Sequence, residues 1–387
     1  MKYLPLIWAA LRRKPARTLL TCFSIVTAFF LFGALQGINV GIAQIMRLTS
    51  ESHLVVMSRV TMMAPMPLAH AAQILSVPGV TAVSPINILL GNYQRPNNPI
   101  VIVGTDFDAL MKIGTNLQVA PEQVAAMRRT RDGIIVGVMA AKRNGWKVGD
   151  RIPIHSLNTT KTDGTSDWVF DIVGTYTLQQ PDWATQIYAN YDFINQAVIA
   201  GKNQSIEFYV GLSDMAKSAA IAQAIDDRFA NSPDQTTTAN EKDFLESILR
   251  QIGDINFLVN GVVVAVLFTL LFLTSNTIAQ SVRERTSELA VLKTVGFTDA
   301  GVQWLVLAEA LFLSLVSAAI GVALASRVLP WLTSGPALSA QGIGTMHVPG
   351  LVYAVGAALA VLVALVSGVP PAVRARRLNI VTALSGR

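Results

Sequence analysis

Four long apolar runs stand out along the chain, at about Thr18 to Val40, Phe257 to Ile278, Val302 to Leu324 and Leu351 to Val369. A helix needs about 20 apolar residues to cross the hydrocarbon core of a bilayer, so each run predicts a transmembrane helix. Between the first two runs, residues 47–250 change to the mixed pattern of a water-soluble domain. Short strands are predicted at His53 to Val60, Ile100 to Gly104, Gly133 to Gly137, Arg151 to His155, Trp168 to Tyr176, Gln186 to Ala189 and Ser205 to Leu212, and another follows the Val77-Pro-Gly-Val80 turn. Helical periodicity is seen at Leu68 to Leu75, Pro121 to Arg129, Asp214 to Phe229 (Ser213 as N-cap) and Glu241 to Ile252. The polar stretch Asn158 to Asp167 reads as a mobile hairpin tip. The fold class expected is therefore membrane α-helical, with four transmembrane helices and a large α+β extracytoplasmic domain between the first and second.

Between the second and third runs, Ser281 to Phe297 alternates charge and aliphatic residues at helical spacing. Leu289 and Leu292, with Val282 and Val295 further out, form an apolar stripe; Arg283, Glu284, Arg285, Glu288 and Lys293 carry the charge, and Gly296 ends the helix. Two readings fit: a helix that passes motion to a cytosolic partner, or a solvated loop that only satisfies the charge bias of inner loops. Residues 1–14, ahead of Pro15, read as a short amphipathic helix in the inner interface, with Trp8 at headgroup level.

The chain is 52% apolar and 14% charged, which excludes an ordinary soluble enzyme. Its net charge of +6 is topological. Lys2, Arg12, Arg13, Lys14 and Arg17 precede the first run, Arg283, Arg285 and Lys293 lie between the second and third, and Arg374, Arg376, Arg377 and Arg387 follow the fourth. This bias places both termini and the 281–301 loop in the cytosol and the large domain outside, and it offers no nucleic-acid footprint. The first run is too long for a cleaved leader and reads as an uncleaved signal anchor. Cys22 is the only cysteine, so the external domain holds itself together by packing.

Within the apolar runs, small residues recur every fourth position: Gly33, Gly37 and Gly41 in the first, Ser317, Gly321 and Ala325 in the third, and Gly356, Ala360, Ala364 and Gly368 in the fourth. Such stripes let helix backbones approach closely, and the last two predict a packed hairpin of the third and fourth spans. Glu309 is an acid inside the third run, either a partner for a basic group or a functional site. No phosphate-binding GxxxxGK[ST] loop, HExxH pair or GxSxG elbow occurs, and the four histidines are scattered, so no catalytic or metal site is expected.

Arg283-Glu-Arg-Thr-Ser-Glu-Leu-Ala-Val-Leu-Lys-Thr-Val-Gly296 resembles the R-E-R-x-x-E-I-x-x-L-K-A-x-G segment of the FtsX-like permeases of ABC transporters, which include the MacB-type exporters and the LolC/LolE lipoprotein-release permeases. Leu307 to Leu315 is similar to the start of that family's third helix, and Pro371 to Leu384 to its basic tail. Val77-Pro-Gly-Val80, Val83-Ser-Pro85 and Lys147-Val-Gly-Asp150 resemble its periplasmic core.

The resemblance implies a permease subunit working as a homodimer or paralogue heterodimer, with no cofactor of its own and with ATP and Mg on a separate ABC ATPase, since no fused ATPase domain is seen. It makes Arg283, Glu284, Arg285, Glu288, Leu289, Leu292, Lys293, Gly296 and Phe297 the ATPase-coupling residues and places Gly33, Gly37 and Gly41 at the subunit interface. Export or extraction by mechanotransmission, with a periplasmic adaptor and an outer-membrane channel as further partners, stands beside a signalling role that regulates an envelope hydrolase or sensor. The division expected is 1–15 interfacial helix, 16–46 first span and stalk, 47–240 external domain in two lobes, 241–280 stalk and second span, 281–301 coupling helix, 302–326 third span, 327–350 outer loop, 351–369 fourth span and 370–387 basic tail.

Overall fold

The computed structural model describes residues 14–48, 53–61, 64–252 and 255–378; all but the last two residues of the interfacial helix expected over 1–15, and half of the basic tail, lie outside them. In chain order the elements are α1 (Pro15–Leu48), β1 (His53–Ser58), β2 (Met66–Pro67), α2 (His70–Leu75), β3 (Val80–Asn92), β4 (Pro99–Thr105), α3 (Phe107–Lys112), β5 (Gln118–Val119), α4 (Pro121–Arg129), β6 (Gly133–Gly137), α5 (Val138–Asn144), β7 (Arg151–Ser156) and β8 (Asp167–Thr177). They continue with β9 (Ile187–Asn190), α6 (Tyr191–Ala197), β10 (Gln204–Ser205), β11 (Glu207–Leu212), α7 (Ser218–Phe229), β12 (Thr236–Asn240), α8 (Glu241–Ile252), α9 (Ile255–Glu284), α10 (Thr286–Thr294), α11 (Asp299–Thr333), α12 (Pro336–Ala340) and α13 (Gly350–Arg376). Two compact units result. One comprises Met1–Ile42, Gly253–Trp331 and Met346–Arg387; the other comprises Ala43–Ile252 and Leu332–Thr345.

The membrane unit contains α9, most of α11, α13 and most of α1, which among the described residues are the four helices long and apolar enough to span a bilayer. Ile25, Phe29 and Phe32 of α1, Val263 and Leu270 of α9, Ala318 and Val322 of α11 and Val352, Ala360 and Val363 of α13 form its central cluster. The glycine stripe of α1 is spent inside this unit. A Cβ on Gly33 would lie 2.9 Å from the Ala325 side chain, one on Gly37 would meet the Leu329 side chain, and one on Gly41 would lie 2.6 Å from the Met346 sulfur. The face expected at a subunit interface therefore packs on the chain's own residues.

The small residues of α11 turn to α1, whereas the hairpin reading expected them against α13. A Cβ on Gly321 would lie 2.5 Å from the Val26 carbonyl oxygen and 2.9 Å from the Phe30 amide nitrogen, and Ala325 sits against Gly33. Ser317 is buried with them. On α13, Ala360 and Ala364 are fully buried, Gly356 faces Val322 and Phe32, and Gly368 faces Ala310 and Leu307. Thus α13 does pack on α11, but through a different set of α11 residues. Two small stripes that mesh with each other give the closest backbone approach, and α1 and α11 supply that pair.

The external unit is built on one mixed sheet, ordered β12-β1-β11-β3-β4-β9-β6-β8-β5, with β7 pairing both β3 and β8. Those last two pairings close β3, β4, β9, β6, β8 and β7 into a ring of six strands. Along β8 and β7 the inward positions Trp168, Phe170, Ile172, Ile152 and Ile154 alternate with more exposed ones, and with Leu89, Ile102, Ile134, Val136 and Ile187 they fill the ring. The rest of the sheet, β12-β1-β11 and the first part of β3, packs Leu54, Val56, Phe208 and Val210 against Ile74 of α2 and Ile221, Ile225 and Phe229 of α7. In sequence the ring is inserted between β3 and β11, and the 13-residue β3 belongs to both parts.

Two local expectations differ from what forms. The N-cap ahead of α7 is Asp214, whose carboxylate accepts from the Ala216 amide and starts a 3₁₀ turn, Met215–Lys217. Ser213 instead donates to the Gly79 carbonyl. The polar stretch after β7 is fastened to the sheet: Asn158 accepts from the Leu90 amide and donates to the Ile88 carbonyl, and the Thr162 amide donates to the Ala197 carbonyl.

Candidate functional site

The segment linking α9 to α11 is not one amphipathic helix. The second spanning helix runs on to Glu284, breaks at Arg285 (φ −109°, ψ 17°), and α10 restarts at Thr286. Gly296, at φ +108°, ends it, with the Phe297 amide donating back to the Leu292 carbonyl and the Gly296 amide to that of Lys293. Only a residue that tolerates left-handed backbone closes a helix this way, which explains Gly296.

The stripe faces inward at Val282, Leu289 and Leu292, whereas Val295 at its end does not. Leu289 is 2% exposed and Ala290 fully buried, and Leu289 packs with Val282, Val302, Val306, Leu307, Ala372 and Ala375, with Leu292 and Phe297 at the edge of the cluster. Leu289, expected to touch a partner, is a core residue that holds α10 on α11 and α13. Burial of a stripe this short against its own spans outcompetes leaving it in water for an absent partner.

Most of the charged candidates are also engaged within the chain. Arg285 Nη1 donates to Glu309 Oε2 at 2.8 Å, with both side chains less than one-fifth exposed, and Glu288 Oε2 lies 3.6 Å from Arg285 Nε. Glu309 thereby has the basic partner that an acid in a span requires. Lys293 donates to the carbonyls of Arg376 and Leu378 and pairs with Asp299 at 2.8 Å, tying α10 to the end of α13 and the start of α11. Glu284 accepts from Arg17 at 2.7 Å and lies 2.9 Å from Lys14, which joins the end of α9 to the start of α1. A cavity of about 50 Å³ beside the Arg285–Glu309 pair is lined by Arg17, Thr274, Thr277 and Ser281.

Outward lie three of the named positions, Arg283, Val295 and Gly296, together with a surface that the stripe rule missed: Ser287, Val291, Thr294 and Thr298. Val291 is 48% exposed and Val295 76%. The missed signal is the spacing of Ser287, Val291, Thr294 and Val295, one turn apart on the side of α10 opposite Leu289. The cluster therefore presents a small, rigidly backed, weakly apolar face and no reactive group. Among the described residues, no three His, Cys, Asp or Glu side chains gather as a metal site would require.

Comparison with known families shows what kind of chain carries this face. The family described as MacB-like periplasmic core domain matches residues 18–228, more than half of the chain, and the family described as FtsX-like permease C-terminal matches residues 260–380. The chain belongs to the FtsX-like, MacB-type permeases. This permease family is a component of ABC transporters and works with ABC ATPase partners.

Among solved structures, the periplasmic region of MacB from Actinobacillus actinomycetemcomitans is 11% identical with a TM-score of 0.39, covering 54% of this chain and 97% of that one. The extracellular domain of the noncanonic ABC-type transporter YknZ from Gram-positive bacteria is 13% identical with a TM-score of 0.34, covering 49% and 98%. A domain of a putative permease protein from Porphyromonas gingivalis is 12% identical with a TM-score of 0.30, covering 49% and 88%. No curated protein matches the chain.

Proposed function

We propose that this permease receives the motion of a cytosolic ABC ATPase on the outward face of α10 and delivers it as movement of the external unit, to export or extract a substrate on the periplasmic side. ATP and Mg would reside on the ATPase subunit. The observation that carries the reading is the backing of α10. Leu289 and Ala290 are sealed into the membrane unit, and Lys293 and Arg285 fasten the helix to α13 and α11, so a push on Val291 and Val295 is borne by three spanning helices at once. A merely solvated loop needs no such footing.

In this reading both termini and α10 lie in the cytosol, the bilayer is the inner membrane, and α8 and the end of α1 act as stalks. A second permease copy, identical or a paralogue, completes the assembly, and a periplasmic adaptor with an outer-membrane channel would extend it. With the glycine face of α1 occupied, the second copy has an open apolar groove between α1 and α9, lined by Phe23, Thr27, Leu31, Val262, Thr269 and Leu273. The regulatory alternative, in which the same motion controls an envelope hydrolase, uses the same input and differs only outside the membrane.

The test is co-purification of the ATPase from native membranes with Val291→Asp and Val295→Asp. Each should reduce the ATPase recovered by at least about tenfold, a loss of about 1.4 kcal/mol, while the permease keeps its detergent-solubilised melting profile. Full recovery of ATPase with the double variant would remove α10 as the input.

A further inference from the structure

The external unit contains a second feature that the coupling role does not use. A cavity of about 400 Å³ opens against β1, β11, β9 and β8, between the end of α1 (Ile45), the start of α8 (Glu241, Leu245) and the 341–343 turn. Its volume lies in the range of small-molecule sites, about 300–1,000 Å³. Its wall is aromatic: Tyr176, Tyr188, Tyr209, Trp183 and the ring of His53.

The rings are held in place by one another and by the backbone. Tyr176 and Tyr188 are 5.4 Å apart between centroids, and His53 and Tyr209 4.9 Å. Tyr188 donates to Gln186 Oε1, and the Gln186 amide donates to the Tyr176 hydroxyl. The turn that closes one side fits only because of Gly342, at φ +79°, where a Cβ would lie 2.8 Å from Gln186 Nε2.

Among the described residues that line the pocket there is no Lys or Arg; Glu241 lines it, and Glu207 lies close enough to feel Glu241. His53 is 2% exposed, neither ring nitrogen has a hydrogen-bond partner, and its Nε2 stands 3.7 Å from the Glu241 carboxylate. Burial pushes the His53 pKa down to about 4, so at neutral pH it adds a neutral ring and no positive charge. Electron-rich ring faces attract a cation, and a carboxylate at the rim strengthens that attraction. An anion would meet the same groups as a repulsive wall.

We propose that this pocket binds a small organic cation with an apolar body, its charged head among the Tyr188 and Tyr209 rings and Glu241, its body against Leu117 and Leu178. The site is distinct from the face of α10, and its occupancy does not require an ATPase.

The test uses full-length protein in lipid nanodiscs, titrated calorimetrically with naphthylmethyl-trimethylammonium and, in parallel, with naphthylmethanesulfonate. The cation should bind saturably, one per chain, at least about tenfold tighter than the sulfonate. Glu241→Gln should weaken the cation alone, and Leu117→Trp, which fills the cavity with an apolar ring, should weaken it at least tenfold with the melting temperature unchanged. Uptake equal to that of empty nanodiscs, equal affinity for the two probes, or wild-type binding by both variants would overturn the proposal.

Discussion

The spanning helices of the membrane unit meet through residues with almost no side chain, whereas the strand ring of the external unit is filled by the largest in the chain. Gly33, Gly321 and Ala325 bring α1 and α11 together until a single added carbon would touch backbone. The six-strand ring is filled instead by Trp168 and Phe170, stacked 6.2 Å apart with Phe193 packed against both. The difference follows the solvent. In lipid an apolar side chain gains nothing by leaving its surroundings, so helices associate through close backbone packing; in water each large ring removed from solvent contributes directly. The helix contacts are therefore sensitive to added volume and the ring core to lost volume.

Three substitutions would break or sharpen that contrast. The largest effect is expected from Phe170→Ala, which should lower the stability of the external unit by about 3–5 kcal/mol, read as loss of near-ultraviolet dichroism at lower denaturant in the full-length protein. A smaller change than that of a surface substitution would contradict the ring as a core.

Next, Gly321→Val should cost about 1–3 kcal/mol, because its new carbon meets the Val26 carbonyl and Phe30 amide, which cannot rotate away. Gly37→Ala should cost less, since its obstacle is the flexible end of Leu329. Thermal unfolding in detergent that ranked the two the other way would show that α1 and α11 do not meet through backbone.

The smallest effect concerns pH. The pKa of His53 is lowered in the folded protein, from 6.5 to about 4. The unfolded chain therefore takes up the proton first, and the His53 contribution to stability falls as the solution is acidified from pH 6.5 toward 4. Between pH 6.5 and 5.5 that contribution should fall by about 1 kcal/mol, read as the difference between wild type and His53→Phe, because Glu207 titrates in the opposite sense over the same range. Burial and the nearby Glu241 push Glu207 the other way, up to about 7. Its protonated form is favoured in the fold, so this contribution is complete below pH 4.5 and disappears as pH rises toward 7; Glu207→Gln should flatten that limb. A wild-type pH profile in His53→Phe would show that the ring is not buried neutral.

Much of the fold was legible because its signals are local. Apolar runs longer than a bilayer is thick can become little else, and Pro121–Arg129, Gly133–Gly137 and Glu241–Ile252 form as their periodicity predicts. The site was legible as a segment and illegible as a surface. The amphipathic stripe at Leu289 carries the same signal whether it meets a partner or its own spans, and only the position of Val302, Val306 and Ala372 resolves that ambiguity. Glu309 and Arg285 lie 24 positions apart, and nothing local pairs them.

By itself, the sequence determined the four spans, the α+β domain between the first two, and, through the Arg283 to Gly296 motif, a resemblance to the permease family. Tertiary structure alone decided which face of each element is used: that the glycines of α1 meet α11, that Leu289 points inward and Val291 outward, and that five aromatic rings from distant strands and turns enclose one cavity. Helix and strand periods establish that an element has an apolar side. Which neighbour covers that side depends on contacts between residues tens to hundreds of positions apart, and those are set only when the whole chain has packed.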